Sequence, residues 1–137
     1  MSIENYMEEM KTIQRNLIEF FDEEDKLEEN FENLISNLKN HKIGDDRYKL
    51  KPFLLLMVHI SNNHYRTTNF FEKIDRILEH LKDGISKNFS NDEIFEIFKR
   101  NKRILLFLIQ SNILKVDDFF VKKIISYKYK TEKYPEY

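Results

Sequence analysis

The polar stretch ISNNHYR, from Ile60 to Arg66, interrupts two apolar segments and carries the side chains best suited to chemistry in this sequence. His59 and His64 could in principle bind a metal ion, but they are five residues apart. Neighbours on one helix face are three or four residues apart. The stretch also contains no Asp, Glu or Cys to complete a coordination shell. We therefore predict no metal site here and no cofactor.

The same stretch has the composition of a helix end. Asn tolerates the left-handed backbone conformation that closes many helices, so we expect Asn62 or Asn63 to terminate the preceding helix. His64 and Arg66 would then hydrogen-bond the last carbonyls, where the helix dipole favours positive charge. A competing interpretation makes His64 and Arg66 contacts to a small anion or a protein partner.

A second group of polar residues lies further along the chain, in the run KRNKR. Its basic members are Lys99, Arg100, Lys102 and Arg103. Such a group at a helix start could bind phosphate through its side chains and free N–H groups. However, the nearby phenylalanines follow helical core spacing, and the isoelectric point near 6.4 is low for a nucleic-acid module. We predict a solvated, partly paired corner whose four cations are candidate partner contacts, and we regard nucleic acid as disfavoured.

The sequence contains no pattern of catalytic residues. Its serines are not framed by glycines, it has no glycine-rich phosphate loop, and it has no cysteine. The carboxylate pair Asp117–Asp118 stands where a helix cap is expected. We therefore predict no catalytic residues and no enzyme activity.

The elements that position these residues are predicted to be helices. The 137 residues include only two glycines and two prolines, whereas sheets and long loops need more turn formers. The absence of cysteine is consistent with a reducing compartment, no signal peptide is recognisable, and the run FLLLMV is too short to cross a bilayer. We expect a cytoplasmic all-α protein, with the nucleus as the alternative location.

Charge is unevenly distributed along the chain. Residues 1–32 contain eleven acidic and three basic residues, whereas residues 99–133 contain ten basic and three acidic residues. This asymmetry either marks solvated helix faces or orients a partner.

Apolar residues at steps of three and four predict about seven helices in a single domain, residues 1–137. The first two helices form a hairpin over residues 1–43. Short helices then stack in a solenoid-like, ankyrin-like array over residues 45–126, ending with a helix that begins near Val116, and residues 127–137 form an extended tail.

Local signals indicate where several helices begin and end. Gly44 is the expected stop of the second helix. The third is expected to start near Pro52, with a short helical turn before it as an alternative. Thr67–Thr68 offers a cap for the fourth helix. Ser90 begins a capping-box pattern for the fifth, and Asn101 is a candidate cap for the sixth.

The chain resembles the N-terminal helical region of trichomonad-type ankyrin-repeat proteins. The resemblance is carried by HISNNHYRTTNFFEKIDRIL, by KNFSNDEIFEIFKRNKRILLFLI and by the closing KYPEY. It covers residues 45–137 well and the first two helices loosely. The resemblance implies an ankyrin-like stack that binds protein partners and has no catalytic residue. Members of that family continue into a longer ankyrin array, whereas this chain ends at Tyr137.

The sequence therefore predicts a non-catalytic protein–protein interaction module, whose partner it does not name. One alternative is a structural protein that self-assembles through its N-terminal helix, where Phe20 and Phe21 would contact a second copy. The other is a weak nucleic-acid or phosphate binder that uses the basic C-terminal half. We expect no interaction with a membrane.

Overall fold

The computed structural model describes residues 3–63, 69–117 and 122. These residues contain six α-helices and no β-strand, which confirms the predicted all-α class. The six helices are α1 (Ile3–Asp22), α2 (Leu27–Asn40), α3 (Arg47–Asn63), α4 (Phe70–Asn88), α5 (Asn91–Phe98) and α6 (Lys102–Gln110).

Helices α1 and α2 form an antiparallel hairpin. The Asn30 side chain, near the start of α2, donates to the Glu19 carbonyl near the end of α1, at 3.3 Å. At the other end, a Glu9 carboxylate oxygen lies 3.4 Å from Nδ1 of His41. The apolar stripe of α1 is buried as its spacing predicts, and its buried apolar members are Ile13, Leu17, Phe20 and Phe21.

Lys42, rather than the predicted Gly44, closes α2. Lys42 has a positive φ of 55°, whereas neither glycine has a positive φ. The Ile43 N–H donates to the Leu38 carbonyl at 2.9 Å, and the Lys42 N–H donates to the Lys39 carbonyl at 3.1 Å. These two bonds form a Schellman motif, in which the buried Ile43 covers the helix end. The prediction that Gly44 ends α2 was wrong, because the hydrogen bonds of the Schellman motif hold Lys42 in the left-handed conformation instead.

Helix α6 ends in the same way. Asn112 has a φ of 61°, and the Ile113 N–H donates to the Leu108 carbonyl at 2.9 Å. In both helices a leucine and an isoleucine five residues apart bracket the left-handed residue. This Leu-x4-Ile spacing is the sequence signal that identifies both ends.

Helix α3 begins at Arg47, five residues before the predicted start at Pro52. The Asp46 carboxylate accepts the Tyr48 N–H at 2.8 Å and caps the first turn. Pro52 therefore lies inside the helix, where it lacks the N–H that would reach the carbonyl of Tyr48. The prediction of Pro52 was wrong because the aspartate cap starts the helix upstream of the proline.

Two of the other predicted caps are present. The Ser90 hydroxyl accepts the Glu93 N–H at 3.3 Å, and the Glu93 carboxylate accepts the Ser90 N–H at 3.2 Å, which completes the capping box. The Asn101 side chain accepts the Ile104 N–H at 3.0 Å and caps α6. For α4 the N-cap is Asn69, with a positive φ of 60°, while Thr67–Thr68 lies outside the described residues.

Helices α3 and α5 run in the same direction and pack together. Arg47 at the start of α3 forms an ion pair with Glu93 near the start of α5. At the far end, the Asn101 side chain donates to the Asn62 side chain at 3.0 Å. Asn62 lies in the last turn of α3, and Asn101 follows α5 by three residues.

Helix α4 contacts both the hairpin and α6. Towards the hairpin, the rings of Phe70 and Phe21 lie 4.6 Å apart. Towards α6, two Arg103 guanidinium nitrogens donate to the two Asp75 carboxylate oxygens at 3.2 and 2.7 Å. Asp75 and Arg103 lie in the N-terminal halves of α4 and α6, so these two halves are adjacent. The buried apolar side chains of all six helices form one cluster.

The two glycines of the chain meet at one contact. Gly84 lies inside α4, and a Cβ there would be 2.2 Å from the carbonyl oxygen of Gly44. The Asn88 side chain donates to the carbonyls of Gly84 and Gly44, at 2.9 and 3.4 Å. Gly84 thus allows α4 to approach the loop after α2 at backbone distance.

Parts of the predicted organisation fall on residues outside the described set. These are the seventh helix, apart from Val116, Asp117 and Lys122, and the whole tail 127–137. His64 and Arg66 also lie outside the described residues, between α3 and Asn69.

Candidate functional site

The four predicted basic contact residues differ in their contacts within the fold. The Lys99 ammonium lies 2.7 Å from the Glu96 carboxylate one turn earlier. Arg103 is held by Asp75, and its guanidinium lies 5.4 Å from the centroid of the Phe71 ring. Arg103 therefore joins α6 to α4, and its charge already has a partner within the fold.

Arg100 and Lys102 are the two members of the group that are exposed to solvent. Between them, the buried Asn101 caps α6 and bonds Asn62. This corner is thus built around an amide network, with two cations on its surface.

The described part of the polar stretch also has a structural role. The Ser61 hydroxyl donates to the Met57 carbonyl at 2.7 Å, and the Asn63 side chain donates to the His59 carbonyl at 2.8 Å. Both bonds reach back four residues along α3. The prediction that Asn62 or Asn63 adopts a left-handed conformation was wrong, because α3 continues through both residues. Among the described residues near this corner, the left-handed one is Asn69.

Arg103 belongs to a set of three arginines that connect helices by the same arrangement. Each guanidinium pairs with a carboxylate on another helix and lies against a phenylalanine ring. Planar guanidinium groups suit both contacts, since they bind carboxylates through two N–H groups and stack on aromatic faces. The three sets are Arg47 with Glu93 and Phe89, Arg76 with Glu28 and Phe31, and Arg103 with Asp75 and Phe71.

Two of these arginines lower the pKa of the carboxylates with which they pair. Two nitrogens of Arg76 donate to the Glu28 oxygens at 3.0 and 3.1 Å, and these bonds lower the pKa of Glu28. The hydrogen bond from Arg47 likewise lowers the pKa of Glu93, and the backbone N–H of Ser90 adds to the effect. Both carboxylates are therefore stabilised in their charged form.

We expect Glu28→Gln to make the melting temperature less sensitive to acid. A lowered pKa in the folded state means that the ion pair stabilises the fold above the ordinary carboxyl pKa of 4.5. That contribution is lost as the pH falls through the lowered pKa. Between about pH 6 and pH 3, the melting temperature of the native protein should fall further than that of the variant. Thermal denaturation at a series of pH values measures both.

Glu32→Gln is the control for this experiment, since Glu32 is another exposed glutamate of α2. Its melting temperature should follow the native pH dependence. Identical pH dependence for Glu28→Gln and Glu32→Gln would show that the contact with Arg76 contributes nothing to stability.

Lys73 is a buried cation that the sequence analysis did not identify. It is 4% exposed, and its ammonium donates to the Phe21 carbonyl at the end of α1, at 3.1 Å. It also lies 5.8 Å from the centroid of the Phe20 ring. A cation at a helix C-terminus is favourable, so Lys73 anchors α1 to α4. Its position between Phe70 and Ile77 on the apolar stripe of α4 was the available sequence signal.

An apolar concave surface lies between α3 and α5. We call it the α3–α5 groove, and its volume is about 330 Å³. Phe89 and Ile97 are buried at its floor, while Leu55 on α3 is 45% exposed. The largely exposed Tyr48 lies two turns before Leu55 on the same helix. The lining residues are Lys51, Leu55, Phe89, Asp92, Glu93, Glu96 and Ile97.

Two further concavities have volumes of about 260 Å³ each. One adjoins Lys73 and Arg76, whose polar groups already serve the contacts described above. The other surrounds the contact between the two glycines and includes His80. Burial lowers the pKa of His80, and the charge of Lys39 adds to the shift. Neither concavity contains a large exposed apolar side chain, which distinguishes the α3–α5 groove.

Within residues 3–63 and 69–117 and at Lys122, no group of three or more His, Asp and Glu residues is arranged to hold a metal ion. None of the helices in this part of the chain combines the length and apolar character needed to cross a membrane. In comparisons with known proteins, no family model, no curated protein and no solved structure matches the chain.

Proposed function

We propose that this chain is a non-catalytic protein-interaction module, built from a helical hairpin followed by a solenoid-like stack of helices. This is the arrangement that the resemblance to the N-terminal region of ankyrin-repeat proteins implies. In such a stack, each hairpin packs on its neighbour, and the surface between stacked helices binds other proteins.

The helix contacts support the stacked arrangement. Helices α3 and α4 pack on each other, and so do α5 and α6. Across the two pairs, α3 packs on α5 and α4 packs on α6. The first helix of one pair thus meets the first helix of the next, and the second meets the second. Helices α3 and α5 are parallel, with Arg47–Glu93 joining them near one end and Asn62–Asn101 near the other. A repeated hairpin produces this parallel packing.

The observation that carries the proposed function is the α3–α5 groove. Leu55 remains 45% exposed beside a floor of buried apolar side chains. Covering the rest of such a side chain with a partner releases hydrophobic free energy, about 25 cal/mol for each Å² removed from water. A groove between two helices that already pack together also requires little ordering when a partner binds.

The test is a pull-down from extracts of the cells that make the protein, comparing the native chain with Leu55→Asp. The aspartate places a charge where the partner's apolar side chain would lie. We expect recovery of the specific partner to fall about tenfold, which corresponds to about 1.4 kcal/mol. Quantitative mass spectrometry measures the recovery, and circular dichroism verifies that the variant folds.

Leu106→Asp is the matched control, because Leu106 is 51% exposed on α6 and does not line the groove. It should recover the same proteins as the native chain. Equal recovery by Leu55→Asp and the native chain would overturn the proposal, as would the absence of any protein enriched over bare beads.

A further inference from the structure

The walls of the α3–α5 groove differ in charge. On the α5 side, Asp92 and Glu96 are both exposed and lie one helical turn apart. Glu93 lies between them but is bound to Arg47 and to the Ser90 N–H. On the α3 side the charged residue is Lys51. A bound segment therefore meets carboxylates on one side and an ammonium on the other.

The two exposed carboxylates also have contacts within the chain. Glu96 forms an ion pair with Lys99 at 2.7 Å, and Asp92 has an interaction partner as well. The Glu96 side chain is 54% exposed, however, and exposed ion pairs contribute only about 0–1 kcal/mol. An incoming cation can therefore share or replace the Glu96–Lys99 contact at low cost, and the exposed Asp92 adds negative charge to the same wall.

We infer that the α3–α5 groove binds a helical segment of another protein that carries an apolar side chain and, one turn away, a lysine or arginine. This inference rests on the proposed function and specifies the partner's chemistry. The apolar side chain covers Leu55 and the floor at Ile97, while the cation lies against Asp92 and Glu96. Because Lys51 repels a cation from the opposite wall, the charges fix the orientation of the segment in the groove.

Three fluorescein-labelled, alanine-based helical peptides test the inference against the full chain by fluorescence anisotropy. The first carries two leucines four residues apart, with lysines one turn away. The second replaces every lysine with glutamate, and the third replaces both leucines with serine. We expect the lysine peptide to bind about tenfold more tightly than the glutamate peptide, which two exposed charge pairs can produce. The serine peptide should show no binding, and added salt should weaken the binding of the lysine peptide.

The chain provides a matched pair of variants for this experiment. In Asp92→Asn/Glu96→Gln, the preference for lysine over glutamate should fall to about threefold or less. In Glu79→Gln/Asp83→Asn the preference should be unchanged. Glu79 and Asp83 have the same spacing on α4, and Glu79 pairs with Lys82 three residues later, as Glu96 does with Lys99.

Several outcomes would overturn the inference. If the lysine and glutamate peptides bind equally and Leu55→Asp abolishes the binding of both, the groove is a binding site without the proposed charge preference. The proposed function then stands. If no peptide binds while Leu55→Asp still loses its partner in the pull-down, the occupant has another chemistry. If light scattering shows a concentration-dependent mass that Asp92→Asn/Glu96→Gln abolishes, the occupant is a second copy of this chain.

Discussion

Gly84→Ala is expected to lower the melting temperature by about 5–10 °C, although alanine is the better helix former. The added Cβ would lie 2.2 Å from the carbonyl oxygen of Gly44 and 3.1 Å from its carbonyl carbon. These are backbone atoms, so they cannot move aside as a flexible side chain would. Overpacking costs about 1–3 kcal/mol, and a backbone contact as short as 2.2 Å lies at the upper end of that range, so the cost exceeds the gain of about 1 kcal/mol in helix propensity.

The displacement would also disturb the Asn88 side chain, which bonds the carbonyls of both glycines. Circular dichroism at increasing temperature measures the change. Gly44→Ala is the control, because its Cβ would meet only the Leu81 side chain at an ordinary 3.5 Å and its φ is not positive. We expect its melting temperature to stay within a few degrees of the native value. If Gly84→Ala melts as high as Gly44→Ala, α4 does not approach the loop after α2 this closely.

Phe21→Ala is expected to cost about 3–5 kcal/mol of stability, a large share of the 5–15 kcal/mol typical of a folded protein. The Phe21 ring is buried, with its centroid 4.6 Å from that of Phe70 on α4 and 6.0 Å from that of Phe20. The carbonyl of the same residue accepts the bond from Lys73. Removing the ring therefore leaves a cavity where α1 is anchored to α4.

Urea denaturation measures this loss, with Met7→Ala as the control. Met7 lies on the same helix but is 52% exposed, so its truncation should cost less than about 1 kcal/mol. Equal stability of the two variants would contradict the packing of α1 into the core. The buried positions of Phe20 and Phe21 also mean that neither ring is available to contact a second copy while α1 is packed.

The burial of α1 in the core also limits which variants can be used to identify a partner. Removing residues 1–25 would delete the buried residues Ile13, Leu17, Phe20 and Phe21 and expose the apolar faces of α2 and α4. Proteins captured by such a shortened chain would reflect its exposed core. Point substitutions on the surface, such as Leu55→Asp, leave the core intact.

The sequence determined the features that depend on residues close together in the chain. The scarcity of glycine and proline indicated an all-α protein, and the apolar spacing located the helices. The capping box at Ser90 and the cap at Asn101 were predictable because their partners are three residues away. At the two helix ends where the prediction was wrong, another local signal is stronger: Asp46 starts α3, and the Leu-x4-Ile spacing around Lys42 ends α2.

Which arginines are held within the fold, and which cations face solvent, depends on how the helices pack. By sequence Arg103 is equivalent to Arg100 and Lys102, but in the fold it pairs with Asp75, which is 28 residues away. The role of Gly84 likewise depends on a carbonyl 40 residues away, and the α3–α5 groove exists only because two distant segments pack side by side. Local sequence fixes where helices begin and end through bonds within a turn. Ion pairs between helices and the shape of a groove depend on how the helices pack, which no local pattern encodes.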